Sequence, residues 1–205
     1  MGVGFSMKYD FVEIGTSDFD TLIETATDAT QGLSIEPVRY YLDRLPERAG
    51  VKKLWCAVSA DNHKAMLEVY YVPEAVIQAN NLPQWLRGCN HVGDYHFQHK
   101  KLGIEHLVET SHVPCWPIGE LFEREQVTEL DLLKLDTEGQ DCAILLHLAA
   151  WLAQQPATAR PRKIIFESNE LANSDQVTAV INQYIMLGYS LTMSDYDTVL
   201  EISDT

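Results

Sequence analysis

The 205-residue chain reads as an α/β protein built on a doubly wound sheet, mostly parallel, with one antiparallel strand delivered by a C-terminal hairpin. Three observations predict this. Short apolar runs of strand length alternate with segments of helical period, the order that makes a parallel sheet covered on both faces. The first run closes at a glycine, as a buried parallel strand does where it enters a loop. The last two runs are joined by a turn too short for a crossover, so they must pair antiparallel.

Each element follows in order. Tyr9–Gly15 (YDFVEIG) is the first strand, and Asp18–Asp28 a helix with acids in its first turn, where the helix dipole favours them. Gly32–Pro37 is a second strand stopped by proline, and Val38–Arg48 has helical spacing of Val38, Tyr41, Leu42 and Leu45. Leu54–Ser59 and Met66–Val72 read as the third and fourth strands. Pro73–Trp116 holds three prolines, five of the seven histidines and no sustained period. It is expected as an insertion, over one edge of the strand ends, within a single domain spanning the chain. Strong pattern resumes with the helix Ile118–Gln126, the strand Leu130–Asp136 and the helix Gln140–Gln155, apolar on most faces. Lys163–Glu167 is a strand, and Ser174–Leu187 a helix capped by Ser174 and ended at Gly188. Tyr189–Met193, the turn Ser194–Asp197 and Thr198–Ile202 complete the hairpin.

Composition narrows the function. Apolar residues make up 46% of the chain, enough for one well-formed core. The net charge of −15 repels phosphate backbones and anionic lipid, so broad nucleic-acid or membrane-surface binding is disfavoured. The longest apolar run, Ala143–Ala153, is broken by His147 and falls short of the ~20 residues of a membrane span. Strand-like sequence by Tyr9 leaves no room for a signal peptide, although Gly2 with Ser6 fits the loose Met-Gly-x-x-x-Ser acylation pattern. Cys56, Cys89, Cys115 and Cys142 stand singly in apolar surroundings, so free buried thiols and a cytoplasmic location are expected.

In such sheets ligands bind at the carboxyl ends of the strands, near the point where strand order reverses. The first strand ends in Glu13-Ile14-Gly15-Thr16-Ser17-Asp18. The second ends in Glu36, 21 residues after Gly15, near the spacing at which a carboxylate reaches a ribose diol. Asp61 and Asn62 follow the third, and Asp136, Thr137, Glu138 and Gly139 follow the strand Leu130–Asp136. Taken singly, such acids are commonly helix caps or solvated termini. Glu13 differs, because an acid between Val12 and Ile14 is costly to bury unless paired. A dinucleotide needs a glycine-rich Gly-x-Gly-x-x-Gly turn for its pyrophosphate. Here there is one glycine, and Asp18 and Asp20 stand where phosphate oxygens would lie. A ligand with a ribose, positive charge and no phosphate fits better, and S-adenosylmethionine is such a ligand: its ribose for Glu36, its adenine amine for Asp61, its cationic part for Glu13, Asp18 and Asp136.

Phe11–Leu22, Ser34-Ile35-Glu36-Pro37, Ala57-Val58-Ser59 and Leu132–Asp141 resemble the FkbM family of methyltransferases. The last segment, Lys134-Leu135-Asp136-Thr137-Glu138-Gly139, matches that family's Lys-x-Asp-x-Glu-Gly signature. The resemblance spans about residues 10–168. It implies a class I, Rossmann-like methyltransferase fold, S-adenosylmethionine as cofactor, and methyl transfer to a hydroxyl of a sugar, glycolipid or polyketide-like acceptor. It places Glu13 and Gly15 in the first cofactor loop with Thr16, Ser17 and Asp18, Glu36 and Pro37 at the ribose, Asp61 at the adenine, and Asp136 facing the methionine part and the reaction centre. The loop departs from the family's commoner form, which has more glycine and an asparagine where Asp18 stands.

A hydroxyl acceptor needs a base, and histidine is the natural one near neutral pH. Leu82–Lys101 holds His91, His96 and His99 among Trp85, Tyr95, Phe97, Arg87, Lys100 and Lys101, a composition suited to a sugar or an anionic acceptor. His91 and His96 are the candidate bases; no metal is expected, although the three histidines, or Asp136 with Glu138, have the ligand types for one. The apolar helix offers a homodimer contact as well as ordinary packing. Two other readings stay open: a non-catalytic cofactor-binding module or partner subunit, and a nicotinamide oxidoreductase.

Overall fold

A computed structural model describes residues 7–60, 66–168, 172–194 and 196–202. The main sheet has seven strands. β1 (Met7–Ile14) lies at its centre, with β2 (Gly32–Ile35) and β3 (Val51–Leu54) parallel on one side. The order then reverses: β8 (Val127–Leu135) lies on the other side of β1, with β9 (Lys163–Glu167) parallel beyond it. β11 (Asp197–Ile202) runs antiparallel between β9 and the edge strand β10 (Tyr189–Ser194), which makes it the single reversed strand delivered by the hairpin. The switch point falls between β1 and β8, and there the chain leaves both strands side by side: Asp136 N–H donates to the Ile14 carbonyl and Gly15 N–H to the Ile35 carbonyl, both at 2.9 Å.

Alternation along the strands buries Val12, Ile14, Leu33, Ile35, Leu133, Leu135, Ile164 and Phe166. Against them packs α6 (Asp141–Leu152), whose Ile144, Leu145, Leu148, Ala149 and Leu152 are fully buried among α5 (Ile118–Arg124), α7 (Ser174–Met186) and the sheet. Removing each large aliphatic side chain from water contributes roughly 1.5–3 kcal/mol. This packing buries the apolar helix within the chain.

The expected third strand, Leu54–Ser59, is two. β3 ends at Leu54, Trp55 turns out to give its Nε1–H to the Pro37 carbonyl at 2.8 Å, and β4 (Ala57–Ser59) enters a second sheet. That sheet, in the order β4-β7-β5-β6, also takes β5 (Met66–Tyr71), expected in the main sheet, together with β6 (His91–Val92) and β7 (Glu109–Pro117). The stretch Pro73–Trp116 therefore supplies strands as well as α3 (Glu74–Ala79), a 3-10 turn at Gln84–Arg87 and α4 (Phe97–Leu102).

The expected helix Asp18–Asp28 shrinks to α1 (Leu22–Thr25), because Ser17 and Asp20 take left-handed backbone angles (φ 48° and 56°) that no α-helix admits. The helix Val38–Arg48 shortens to α2 (Arg39–Arg44). α7 is capped by Asn173, not Ser174: its Oδ1 accepts from the Asp175 and Gln176 N–H groups, while Ser174 is already helical. All four cysteines are free and buried, and no helix among the described residues is long and apolar enough to cross a membrane.

Candidate functional site

A cavity of about 340 Å³ opens at the carboxyl ends of β1, β2, β8 and β9, within the size range of small-ligand sites. One wall is the loop Gly15-Thr16-Ser17 with Asp20, Glu36 and Pro37; a second is Asp136-Thr137-Glu138 with Glu167. Trp85, Gly88, Cys89 and Asn90 from the stretch Pro73–Trp116 close the third. Ser17, Asp20 and Glu138 are non-glycine residues at positive φ, and all three line this cavity. Such conformations cost about 1–3 kcal/mol each and gather where function fixes the backbone.

Glu36 organises the first loop from within. Its Oε2 accepts from the Thr16 N–H at 3.1 Å and the Ser17 N–H at 2.7 Å, and its Oε1 from the Val38 N–H at 2.8 Å. The turn's backbone donors, which a glycine-rich loop would offer to a pyrophosphate, are thus already taken by a side-chain carboxylate. An ionised carboxylate has about four acceptor positions, so on Oε1 about one remains for a ribose hydroxyl. Full burial raises the Glu36 carboxyl to about 7, with its three backbone donors opposing the rise.

Two of the acids expected to face a cationic ligand do not line the cavity. Glu13, fully buried, stands opposite Lys134 in the β1–β8 register and is paired with it at 2.9 Å; its Oε2 accepts from the Leu22 N–H. Burial raises Glu13, and Lys134 offsets part of that rise. Lys134 also donates to the Asp20 carbonyl at 3.0 Å, so the pair pins the loop between β1 and α1. Asp18 is held between Arg44 (2.9 Å) and Arg87 (2.9 Å), its side chain 2% exposed. Two guanidiniums neutralise it, and Arg87 lies over the Phe19 ring while its carbonyl accepts from Ser17 Oγ. Both residues shape the loop rather than the ligand surface. Asp61 lies outside the described residues, as do Gly2 and Ser6.

Acidic groups line the cavity nonetheless: Asp136 and Glu36, both singled out in the sequence, together with acids that were not assigned to a ligand there. Among the described residues the cavity is lined by Asp20, Glu36, Asp136, Glu138 and Glu167 against one ammonium, that of Lys134, itself paired. Burial and mutual repulsion raise Asp136, and push Glu138 and Glu167 to about 8. Asp141, 2% exposed at the start of α6, holds the signature loop by accepting from the Thr137 N–H at 2.9 Å and from its hydroxyl.

A second cavity, about 300 Å³, lies beside α4 and is lined by His91, Asp94, Tyr95, His96, Phe97 and Lys100 together with Glu138 and Gly139. Here the candidate histidines change role. His96 is 2% exposed and caps α4, its Nδ1 accepting from the Gln98 N–H at 3.2 Å. That bond assigns the ring proton to Nε2, which lies 3.0 Å from Glu138 Oε2. Burial lowers His96 and His99 to about 4, so neither of these two is poised to accept a proton near neutrality, and burial together with the neighbouring His96 lowers His91 as well. Among the described residues, Cys89, His96 and Glu138 bring ligand-type atoms within 4.8 Å of one another; the three-histidine cluster is not assembled. With its Nδ1 lone pair engaged, His96 would have to lose its last proton to bind a metal through Nε2, which works against such a centre.

Glu167 and Cys89, which line the larger cavity, were not singled out by their sequence pattern, and Glu138 was noted at its strand end without a role toward the acceptor. For Glu167 the signal was present, since it ends a strand as Glu36 does; Cys89 came from a stretch with no period to place it.

Neither the curated proteins nor the solved structures compared with the chain include a match. The model of one family, described as the methyltransferase FkbM domain, matches residues 13–197. The matched span runs from the buried Glu13 through the switch-point cavity to the start of β11, so this chain belongs to the FkbM methyltransferase family.

Proposed function

We propose that this protein is an S-adenosylmethionine-dependent methyltransferase acting on a hydroxyl oxygen of a small polar acceptor such as a sugar, a glycolipid or a polyketide-like compound. The observation that carries the reading is the acidic lining at the switch point: among the described residues five carboxyl groups, able to ionise toward a cation, line the cavity against one paired ammonium, and the loop's N–H donors are closed by Glu36. A cationic, phosphate-free nucleoside suits that surface, and a diphosphate does not. S-adenosylmethionine, when bound, supplies a methyl group on a positively charged sulfur.

The chain's own part is to bind, orient and keep water out. Glu36 Oε1 with Pro37 marks the ribose end, and Asp20, Asp136 and Glu167 form the acidic end for the ammonium and sulfonium. Trp85, Gly88, Cys89 and Asn90 cover the third side, tied down through Arg87 and Asp18. Holding acceptor and methyl in line supplies a large part of the rate, of a possible ~7–11 kcal/mol from positioning. The four unbridged, buried cysteines support work in the reducing cytoplasm.

Calorimetry with S-adenosylhomocysteine and with NADH tests the assignment. Micromolar binding of the thioether and none of NADH is expected; the reverse rejects it. Thioether binding with no methyl transfer to any hydroxyl compound would identify a non-catalytic module.

A further inference from the structure

We propose that the cavity beside α4 is the acceptor site, and that Glu138 removes the proton from the acceptor hydroxyl while His96 Nε2–H donates to the same oxygen. The inference rests on the methyltransferase reading above and adds to it where the acceptor lies and which groups meet it.

Among the described residues, Glu138 is the one common to the two cavities. It is held there at φ 53°, between Thr137, which Asp141 anchors, and Gly139 at φ 99°. A glutamate kept in the left-handed region at the junction of two cavities is the kind of fixed backbone that positions a reacting group. Asp136, the other acid of the signature, lines the larger cavity alone.

His96 completes a pair suited to a hydroxyl. Its Nδ1 accepts from Gln98, so Nε2 carries the proton, yet among the described residues Nε2 has no aligned hydrogen-bond partner although Glu138 Oε2 is 3.0 Å away. A buried donor and a buried acceptor at that separation can both reach one oxygen at an ordinary hydrogen-bond distance of ~2.8 Å. The oxygen accepts from Nε2 and donates its proton to Oε2. Burial beside Asp136 raises Glu138 to about 8, which brings a carboxylate toward the range of a working general base. In the reaction the O–H bond breaks and its proton passes to Glu138. The oxygen forms its bond to the methyl carbon of the sulfonium donor, and the carbon–sulfur pair leaves on sulfur as the neutral thioether.

The experiment uses the full chain as wild type, Glu138→Gln and His96→Asn, the last keeping a cap for α4. S-adenosylmethionine with a ¹³C-labelled methyl group is supplied with methyl glucoside, mannoside or rhamnoside as acceptor probes. Calorimetry with S-adenosylhomocysteine and ¹³C titration of the glutamate carboxyls are run beside it. The wild type should methylate at least one glycoside and show a carboxyl titrating well above the usual range, absent in Glu138→Gln. That variant should bind the thioether within about twofold of wild type and lose 10²–10⁴ in transfer rate. His96→Asn should retain thioether binding and lose at least about tenfold in kcat. Glu138→Gln with intact binding and more than half the wild-type rate overturns the base. A wild type with no high-titrating glutamate overturns it too, independently of any variant's folding. A wild type that binds the thioether but methylates none of the glycosides overturns the acceptor site. Failure of the wild type to bind the thioether strikes the methyltransferase reading first, and the inference falls with it.

Discussion

A Cβ built on Gly15 would stand 1.9 Å from the carbonyl oxygen of Asp136. The loops leaving β1 and β8 are in backbone contact, and Gly15 at φ 80° is what lets them close. Both walls of the larger cavity depend on this approach, since Thr16 and Ser17 follow one residue and Thr137 and Glu138 the other. Gly15→Ala combines a disfavoured φ with a clash against backbone that no side-chain rotation relieves. It should destabilise the protein by at least ~2 kcal/mol and abolish S-adenosylhomocysteine binding. Thermal unfolding and calorimetry on the same preparation check both, and wild-type affinity in the variant would contradict the placement of the loops.

Glu36 makes stability depend on pH in a direction opposite to that of an ordinary paired carboxylate. Its folded value, about 7, exceeds the 4.5 of an unperturbed glutamate, so the folded state holds this proton more tightly than the unfolded chain. Its contribution is therefore most favourable below pH ~4.5 and is lost as pH rises to ~7, a span worth ~3 kcal/mol. Glu36→Gln keeps an acceptor for the Thr16 and Ser17 donors and has no proton to lose. The difference between wild-type and variant unfolding free energies should therefore shift in the variant's favour between pH 4.5 and 7. Parallel curves across that window would remove the argument.

How much of this was legible in the sequence varies with the physics involved. The main sheet was, because buried parallel strands announce themselves as apolar runs, and Lys163–Glu167 is found at its expected bounds. The second sheet was not: β4 is three residues long and follows β3 after two, so one apolar run conceals a change of sheet that the separate pairings of β3 with β2 and β4 with β7 reveal. The charge of the site was readable as a sum but not by residue. Asp18 and Glu13 stand in the right loop, yet whether a carboxylate faces a ligand depends on cations distant in sequence, Arg44 and Arg87 for one and Lys134 for the other. For the histidines the missing information is burial, which lowers the proton affinity of His91, His96 and His99 and which a stretch without period does not disclose.

The Glu13–Lys134 pair yields a test of its structural role. Removing one member of a buried pair leaves the other uncompensated, typically at a cost of ~3–5 kcal/mol. Lys134→Met should show a loss of that order by denaturant unfolding. Adding Glu13→Gln, which keeps an acceptor for the Leu22 N–H, should recover part of it. If the double variant is no more stable than the single one, the ammonium's part is its bond to the Asp20 carbonyl, and not the neutralisation of Glu13.

The crowded carboxyls at the cavity should make cation binding release protons. Glu138 and Glu167, both near 8, are largely protonated at pH 7. A positive charge among them favours the ionised forms and lowers both values, so protons leave as the ligand enters, and affinity must rise with pH up to ~8 and level off above it. S-adenosylmethionine differs from S-adenosylhomocysteine by one positive charge on sulfur. It should therefore release more protons, which calorimetry in buffers of different ionisation enthalpy counts directly. Its affinity relative to the thioether should also climb between pH 6 and 8. Ionisation of Glu138 under the donor's charge is also what a general base requires before it can accept a hydroxyl proton. Equal proton counts for the two ligands would mean that the sulfonium does not reach these carboxylates, and would separate the acidic wall from the chemistry assigned to it.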